Sequence, residues 1–191
     1  MTVRIATPDD AAAVVDVYRP YVEETAITSE ETPPDVPEMR GRIAETLERH
    51  PWLVAERDGT VAGYAFAGRL RKRQAYRWSA ELSVYVDRER RGEGIGRELY
   101  GALLAVLERQ GFRNGYAVVT LPNPGSAAFH ESLGFERVGT VPAASYKLGE
   151  WHDDAWYVIE LAERTVDPDP PTPFAAVEDE ELSAVLDAES R

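Results

Sequence analysis

Cysteine is absent from the 191 residues, which removes disulfides, thiolate metal sites, iron–sulfur clusters and cysteine nucleophiles together. Lysine is almost absent as well. Lys72 and Lys147 are the only two, and arginine supplies the rest of the 21 bases. Those bases face 34 acids, a net charge of −13. Phosphate backbones are bound by basic surfaces, so no nucleic acid partner is expected. No apolar run approaches the roughly 18 residues that cross a bilayer, and Met1–Ile5 opens no signal-peptide core. No membrane partner is expected, and the expected compartment is the cytoplasm. His50, His130 and His152 lack metal-ligand spacing, so no metal is implied. An acidic surface served by arginine rather than lysine suits strong salt screening. It points to a halophilic source, with GC-rich coding bias as the plain alternative.

What is present is enough for a core: 43% of residues are hydrophobic and 9% aromatic. Val3–Ala6 reads as a strand, and Thr7-Pro8-Asp9-Asp10 as a helix start that runs on through Val22. Pro33-Pro34 closes a polar loop before a second helix with Met39, Ile43 and Leu47 on one face. Trp52–Glu56 and Val61–Phe66 flank the turn pair Asp58-Gly59, a hairpin signature. A basic loop (Arg69, Arg71, Lys72, Arg73, Arg77) precedes the strand Ala80–Val86. Its two-residue period parts Leu82, Val84 and Val86 from Glu81, Ser83 and Tyr85. A long helix from about Gly94 to Gln110 follows, then a strand at Tyr116–Leu121, a helix at Ser126–Leu133 and strands at Glu136–Val141 and Ala155–Leu161. The order β-α-α-β-β-β-α-β-α-β-β predicts an α/β (α+β) domain of three layers, helices flanking a mixed sheet. Residues 1–164 form that domain. From 165 to 191 the chain is acidic and proline-rich, composition that builds no core of its own, and reads as a tail or docking arm in which Glu178–Leu186 can form an amphipathic helix.

The most specific feature is Arg90-Arg91-Gly92-Glu93-Gly94-Ile95-Gly96-Arg97, set between a strand and a long helix. Glycines let a backbone approach a ligand closely, and the first free amides of a helix at its positive dipole end make a diphosphate cradle. A tight strand-to-helix turn explains one of these glycines, not three. There is no Lys-Ser/Thr pair of a phosphate-binding loop, and the glycine spacing is not G-x-G-x-x-G, so the nucleotide-hydrolase and dinucleotide readings both fail.

The Arg91, Gly94, Gly96 spacing resembles the acetyl-CoA pyrophosphate motif of the GNAT N-acetyltransferase superfamily. Asn123, Ser126, Phe129, His130, Gly134 and Phe135 resemble that superfamily's last conserved segment. The chain is similar in particular to the phosphinothricin and methionine sulfoximine N-acetyltransferases. The pieces that match are Pro51–Glu56, Ala75–Glu81, Ser83–Val86, Gln110–Phe112, Leu121–Asn123, His130–Phe135 and Tyr146–Asp153. The resemblance spans residues 3–161 and implies a mostly antiparallel sheet, acetyl-CoA as cofactor, a small-molecule amine as substrate, and a homodimer.

It also implies roles. An α-amino group with a pKa of about 8 is mostly protonated at pH 7, so attack on a thioester needs a base. Glu81, an acid inside a strand, matches the family's proposed base; its plain reading is a structural ion pair with Arg77. Backbone amides along Val84, Tyr85 and Val86 are implied to hold pantetheine and polarise the acetyl carbonyl. The backbone of Arg91, Gly92, Glu93, Gly94, Ile95 and Gly96 is implied to hold the diphosphate, and Asn123 and Ser126 the cofactor arm. His130 falls where the family approaches the thioester sulfur, as proton donor or stabiliser, with a buried structural histidine as the alternative. Arginine forks suit a substrate carboxylate, which nominates Arg77 first, then Lys72 and Arg73. Lys147 and His152 match the family without a derivable role. The chain departs from the branch at Thr28-Ser29-Glu30, where the branch carries an aromatic residue in a loop that walls the acceptor site; a natural amino acid is therefore as eligible an acceptor as phosphinothricin. Two rival readings stay open: an enzyme of the same superfamily that acetylates polyamines or protein N-termini, and a cofactor-binding module without catalysis.

Overall fold

The computed structural model describes residues 1–178 and, beyond them, Glu180, Leu182, Ser183 and Leu186. Strand β1 (Thr2–Ile5) enters helix α1 (Ala11–Glu24) through one 3-10 turn. There the Asp10 carboxylate accepts from the Thr7 N–H at 2.7 Å and from the Arg4 guanidinium at 2.7 and 2.9 Å, so Asp10 serves the Thr7 amide at that start, while Asp9 pairs with Arg40 at 2.6 Å. Helix α2 (Val36–Leu47) is capped by the Asp35 side chain, which accepts from the Glu38 N–H at 2.8 Å. Strands β2 (Trp52–Arg57) and β3 (Thr60–Arg69) join at Asp58-Gly59, whose φ angles of 55° and 77° suit a tight right-twisting hairpin turn. Strand β4 (Ser79–Val86), helix α3 (Ile95–Gln110), strand β5 (Asn114–Thr120), helix α4 (Pro124–Ser132) and strands β6 (Glu136–Lys147) and β7 (Glu150–Glu160) complete the order that the periodicity predicts.

All seven strands form one sheet, ordered β1-β2-β3-β4-β5-β7-β6. Every pairing is antiparallel except β4 with β5. The alternation along β4 splits the core into the two layers expected of it. Leu82 packs with Leu99, Leu103 and Leu107 of α3 on one face. Tyr85 packs on the other, edge-on to Tyr18 and Tyr21 of α1, with centroids 4.8 and 5.2 Å away. Helix α3 buries Ile95, Leu99, Tyr100, Leu103, Val106 and Leu107, a stripe at helical spacing. It ends at Gly111, left-handed at φ 92°. The amides of Gly111 and Phe112 close back on the Glu108 and Leu107 carbonyls at 3.0 Å each, the double bond that stops a helix cleanly.

The closing hairpin is longer than the expected Glu136–Val141 and Ala155–Leu161. The chain bulges at 142–144, with Ala143 at φ 46° and the pairing with β7 slipping between Val141 and Ser145 before it resumes. Leu148 and Gly149, at φ 54° and 88°, then turn it.

The proline-rich arm lies against the domain. Trp78 Nε1 donates to the Asp169 carbonyl at 2.8 Å, and Gln110 Nε2 donates to the Thr172 carbonyl at 2.7 Å. Phe174 and Leu182 bury themselves on Val106 of α3. The arm thus borrows the core it cannot build. Glu180, Leu182, Ser183 and Leu186 of the expected terminal helix are helical; the rest of it lies outside the described residues. Among the described residues no helix is long and apolar enough to cross a membrane.

Candidate active site

The parallel pairing of β4 with β5 is brief. It holds Ser79–Glu81 against Asn114–Tyr116 and stops, although β4 runs on to Val86 and β5 to Thr120. Beyond Glu81 the strands splay into a wedge, whose β4 edge offers backbone groups without a strand neighbour. A cleft of about 560 Å³ opens there. It is lined by Val84 and Val86 of β4, by Arg91, Gly92, Gly94, Ile95 and Gly96 of the glycine loop, and by Asn123 and Ser126 at the start of α4. These are nine of the positions nominated for the cofactor. The other two turn their side chains away: Tyr85 into the aromatic layer under α1, and Glu93 to Arg57 at 2.7 Å, leaving their backbones as what they can offer.

The glycine loop is built for close approach. Gly94, the residue that opens α3, sits at φ 86°, and no side-chain cap meets the helix there. An L side chain at that angle costs about 1–2 kcal/mol. The amides of Ile95 and Gly96 precede the first helical bond, that of the Arg97 N–H to the Gly94 carbonyl at 3.0 Å, so they face the cleft with the positive end of the helix. Arg91 stacks on the Tyr21 ring at 5.0 Å and its Nε donates to the Tyr21 hydroxyl at 3.3 Å; that hydroxyl in turn donates to the Val86 carbonyl at 2.6 Å. Tyr21 thereby ties the loop to the wedge, a contact no local sequence signal announces. Asn123 Oδ1 accepts from the Ser126 N–H at 3.2 Å, which leaves its amide N–H groups to meet a cofactor arm. Unpaired amides, a helix terminus and three neighbouring arginines fit a diphosphate.

The second half of the site lies on the other face of the sheet. Glu81 is half-buried, and burial pushes its carboxyl above the usual range; the Arg71 guanidinium opposes that rise and the Asp154 carboxylate adds to it. Asp154 is held by the Thr120 hydroxyl at 2.9 Å. Arg71 lies over the Trp156 ring at 5.1 Å, so of the basic loop it is Arg71 whose field reaches the acid. Sequence reasoning passed over it, because only the pairing of β5 with β7 brings Trp156 to that face.

A small cavity of about 60 Å³ at the root of the wedge is lined by Ser83, Val84, Thr120, Asn123, Ser126 and His130, with Ile27 and Tyr100. His130 is buried. Its Nδ1 faces the Ser126 carbonyl at 2.8 Å, and a carbonyl only accepts, so Nδ1 carries the proton. Nε2 then accepts from the Tyr100 hydroxyl at 3.1 Å. Burial holds its pKa below the ordinary histidine value, against the pull of the Ser126 carbonyl. At neutral pH His130 is thus an uncharged imidazole bonded at both nitrogens, and its single proton has no free direction.

Arg77, Lys72 and Arg73 line a different pocket, of about 530 Å³, with Arg49, Arg69, Arg71 and Pro170–Pro173 of the arm. It opens beside Ser79, at the other end of β4 from the glycine loop. Arg77 is occupied in part: its guanidinium lies 4.7 Å over the Trp78 ring and Nε donates to the Gln74 carbonyl at 3.1 Å. It does not pair with Glu81.

Comparison with known proteins agrees with this geometry. The model of the acetyltransferase (GNAT) domain matches residues 3–156. A phosphinothricin N-acetyltransferase of Streptomyces viridochromogenes is 40% identical over 175 residues, 92% of this chain and 93% of that protein. An L-methionine sulfoximine/L-methionine sulfone acetyltransferase of Salmonella typhimurium is 34% identical over 164 residues, 85% and 96% of the two chains. Among solved structures, a phosphinothricin acetyltransferase from Sinorhizobium meliloti in complex with acetyl-CoA superposes with a TM-score of 0.84 at 36% identity, covering 91% of this chain and 97% of that one.

Proposed function

Because the chain belongs to the GNAT acetyltransferase family, we propose that it moves the acetyl group of acetyl-CoA directly onto the amine of a small amino acid or analogue. The acceptor class is that of phosphinothricin, methionine sulfoximine, methionine sulfone or methionine. One observation carries the reading: the wedge between β4 and β5 has an anion cradle at its mouth and a half-buried acid on the adjoining strand face. Acetyl-CoA, when bound, supplies the activated thioester. The amides at the start of α3, with Arg91, hold its diphosphate, and the Asn123 amide and the β4 edge at Val84–Val86 hold the arm. Glu81, its affinity for protons raised by burial, takes the proton of the attacking amine directly or through one water. Ser83, two residues on and about 7 Å further along the same face, borders the reaction cavity. His130 serves as a neutral wall residue that carries the Tyr100 hydroxyl; a thiol titrating near 8.5 leaves as thiolate with little acid help. Arg71 meets the acceptor carboxylate nearest to Glu81, and Arg73, Lys72 and Arg77 form the outer basic rim that draws it in.

A thiol-release assay over methionine, its sulfone and sulfoximine, phosphinothricin and spermidine tests this. Turnover confined to the amino acids is expected. Turnover of spermidine alone would favour the polyamine reading, and acetyl-CoA binding with no thiol released on any amine would leave a binding module.

The same reading extends to assembly and setting. Val141, Tyr146, Leu148 and Trp151 stand 47–66% exposed on the β6–β7 hairpin, an apolar face suited to a second copy, and light scattering at twice the monomer mass is the expected result. A cytoplasm rich in salt suits the −13 charge; the unfolding temperature should rise with KCl, and a flat response would remove the halophilic part alone.

A further inference from the structure

Lys147, one of two lysines in the chain, is 6% exposed, while its neighbours Tyr146 and Leu148 are 54% and 62% exposed. Its side chain therefore runs inward from the end of β6. Burying an ammonium is costly unless its donors are used. Here Nζ donates to the Thr28 carbonyl, 119 residues away in sequence, at 2.8 Å. Glu30 and Glu31 of that loop attract the ammonium through their charge, but Glu30 is itself bonded to Arg42 at 2.7 Å. Thr28 is bonded on its other side too: its hydroxyl shares a 2.6 Å bond with the Tyr18 hydroxyl and accepts from the Glu30 N–H at 3.3 Å. At the far end of the link, His152 Nε2 donates to the Lys147 carbonyl at 3.0 Å.

The residue before Thr28 gives this chain of bonds a consequence. Ile27 lines both the coenzyme cleft and the small cavity at the root of the wedge, together with Val84, Asn123 and Ser126; of these four it alone is carried by the 25–32 loop, so where that loop sits decides how one side of the junction is closed. We propose that Lys147 is a positioning residue: it latches the 25–32 loop to the β6–β7 hairpin so that Ile27 closes the junction between coenzyme and acceptor, and His152 steadies the strand end from which the lysine reaches. This rests on the acetyltransferase reading. It gives a task to the two residues that the sequence marks without explaining.

The latch acts on alignment rather than on coenzyme grip, which lies in the glycine loop. Misplacement by about 1 Å can cost up to a hundredfold in rate. Lys147→Met, which keeps the length of the stem and removes the donor, should lower kcat by about tenfold or more, while the Kd for coenzyme A measured by calorimetry changes less than about twofold. Amide hydrogen exchange should quicken in residues 25–32 and stay unchanged in β2–β4. Lys147→Arg, which keeps a donor, should recover part of kcat and of the protection. If Lys147→Met does not fold, Lys147→Gln carries the same comparison. Unchanged kcat with unchanged loop exchange would overturn the latch, as would exchange that quickens evenly over the whole sheet. Should the wild-type enzyme acetylate no amine, the functional reading fails by itself, and the exchange experiment still decides whether Lys147 holds the loop.

Discussion

The two halves of the site are made in different ways. The proposed coenzyme half rests chiefly on one contiguous stretch, Arg90–Arg97, with the β4 edge and the start of α4 beside it, and would work mainly through backbone: left-handed glycines, free amides and a helix terminus. The proposed acceptor half draws on β4, the 69–77 loop, β5, β7, the 25–32 loop and the end of β6, and would work through side chains. A backbone device needs a few residues in a row and tolerates change around it. A side-chain device needs several distant segments in register, and each is free to vary with the substrate. Arg71, Asp154 and Trp156 would alter the acceptor without touching the coenzyme.

The sharpest way to break this division is Glu81→Gln. Loss of the base should lower kcat by about 10²–10⁴-fold and abolish the acidic limb of the pH profile, with coenzyme affinity unchanged; an equal loss of coenzyme binding would merge the halves. The reciprocal change is Gly94→Ala. No atom lies within 4 Å of the added methyl, so the cost is conformational, about 1–2 kcal/mol, and should weaken coenzyme binding by about tenfold while the acceptor KM stays put. Arg71→Gln should act on the acceptor side only, raising its KM several-fold. Because Arg71 holds the Glu81 carboxyl down, its removal should also shift the acidic limb of kcat/KM to higher pH; a shift to lower pH would mean that Glu81 is not the group titrating. The smallest effect belongs to His130→Gln. A few-fold loss in kcat with an unmoved pH profile fits a neutral wall residue, and a loss of a hundredfold would restore it as a proton carrier.

The same contrast explains what could be read from the sequence. Element order, the two faces of β4 and the glycine loop are matters of local period and local backbone need, and the structure has them where the periodicity puts them. The β6–β7 hairpin exceeds the expected Glu136–Val141 and Ala155–Leu161 because a bulge carries β6 past Val141, and a bulge breaks the two-residue period by which a strand is read. The sequence does not single out Tyr21 or Tyr100, and offers Arg71 only as one of five bases in a loop, for a shared reason. Each joins the site through a partner 30 or more residues away, and nothing in its own neighbourhood sets it above the residues beside it. His130 was visible as a position, but its neutral, doubly bonded state follows only from the Ser126 carbonyl and the Tyr100 hydroxyl beside it.

The central claim is that the splayed strands seat the coenzyme while Glu81 waits on the adjoining face. A crystal structure with acetyl-CoA and an unreactive acceptor analogue tests it most directly. The expected result has the diphosphate on the amides of Gly94–Gly96, the thioester carbonyl against the β4 edge at Val84–Val86, and the acceptor nitrogen within one water of the Glu81 carboxylate. A coenzyme seated in the basic pocket beside Ser79, or an acceptor held on the α3 face away from Glu81, would contradict it.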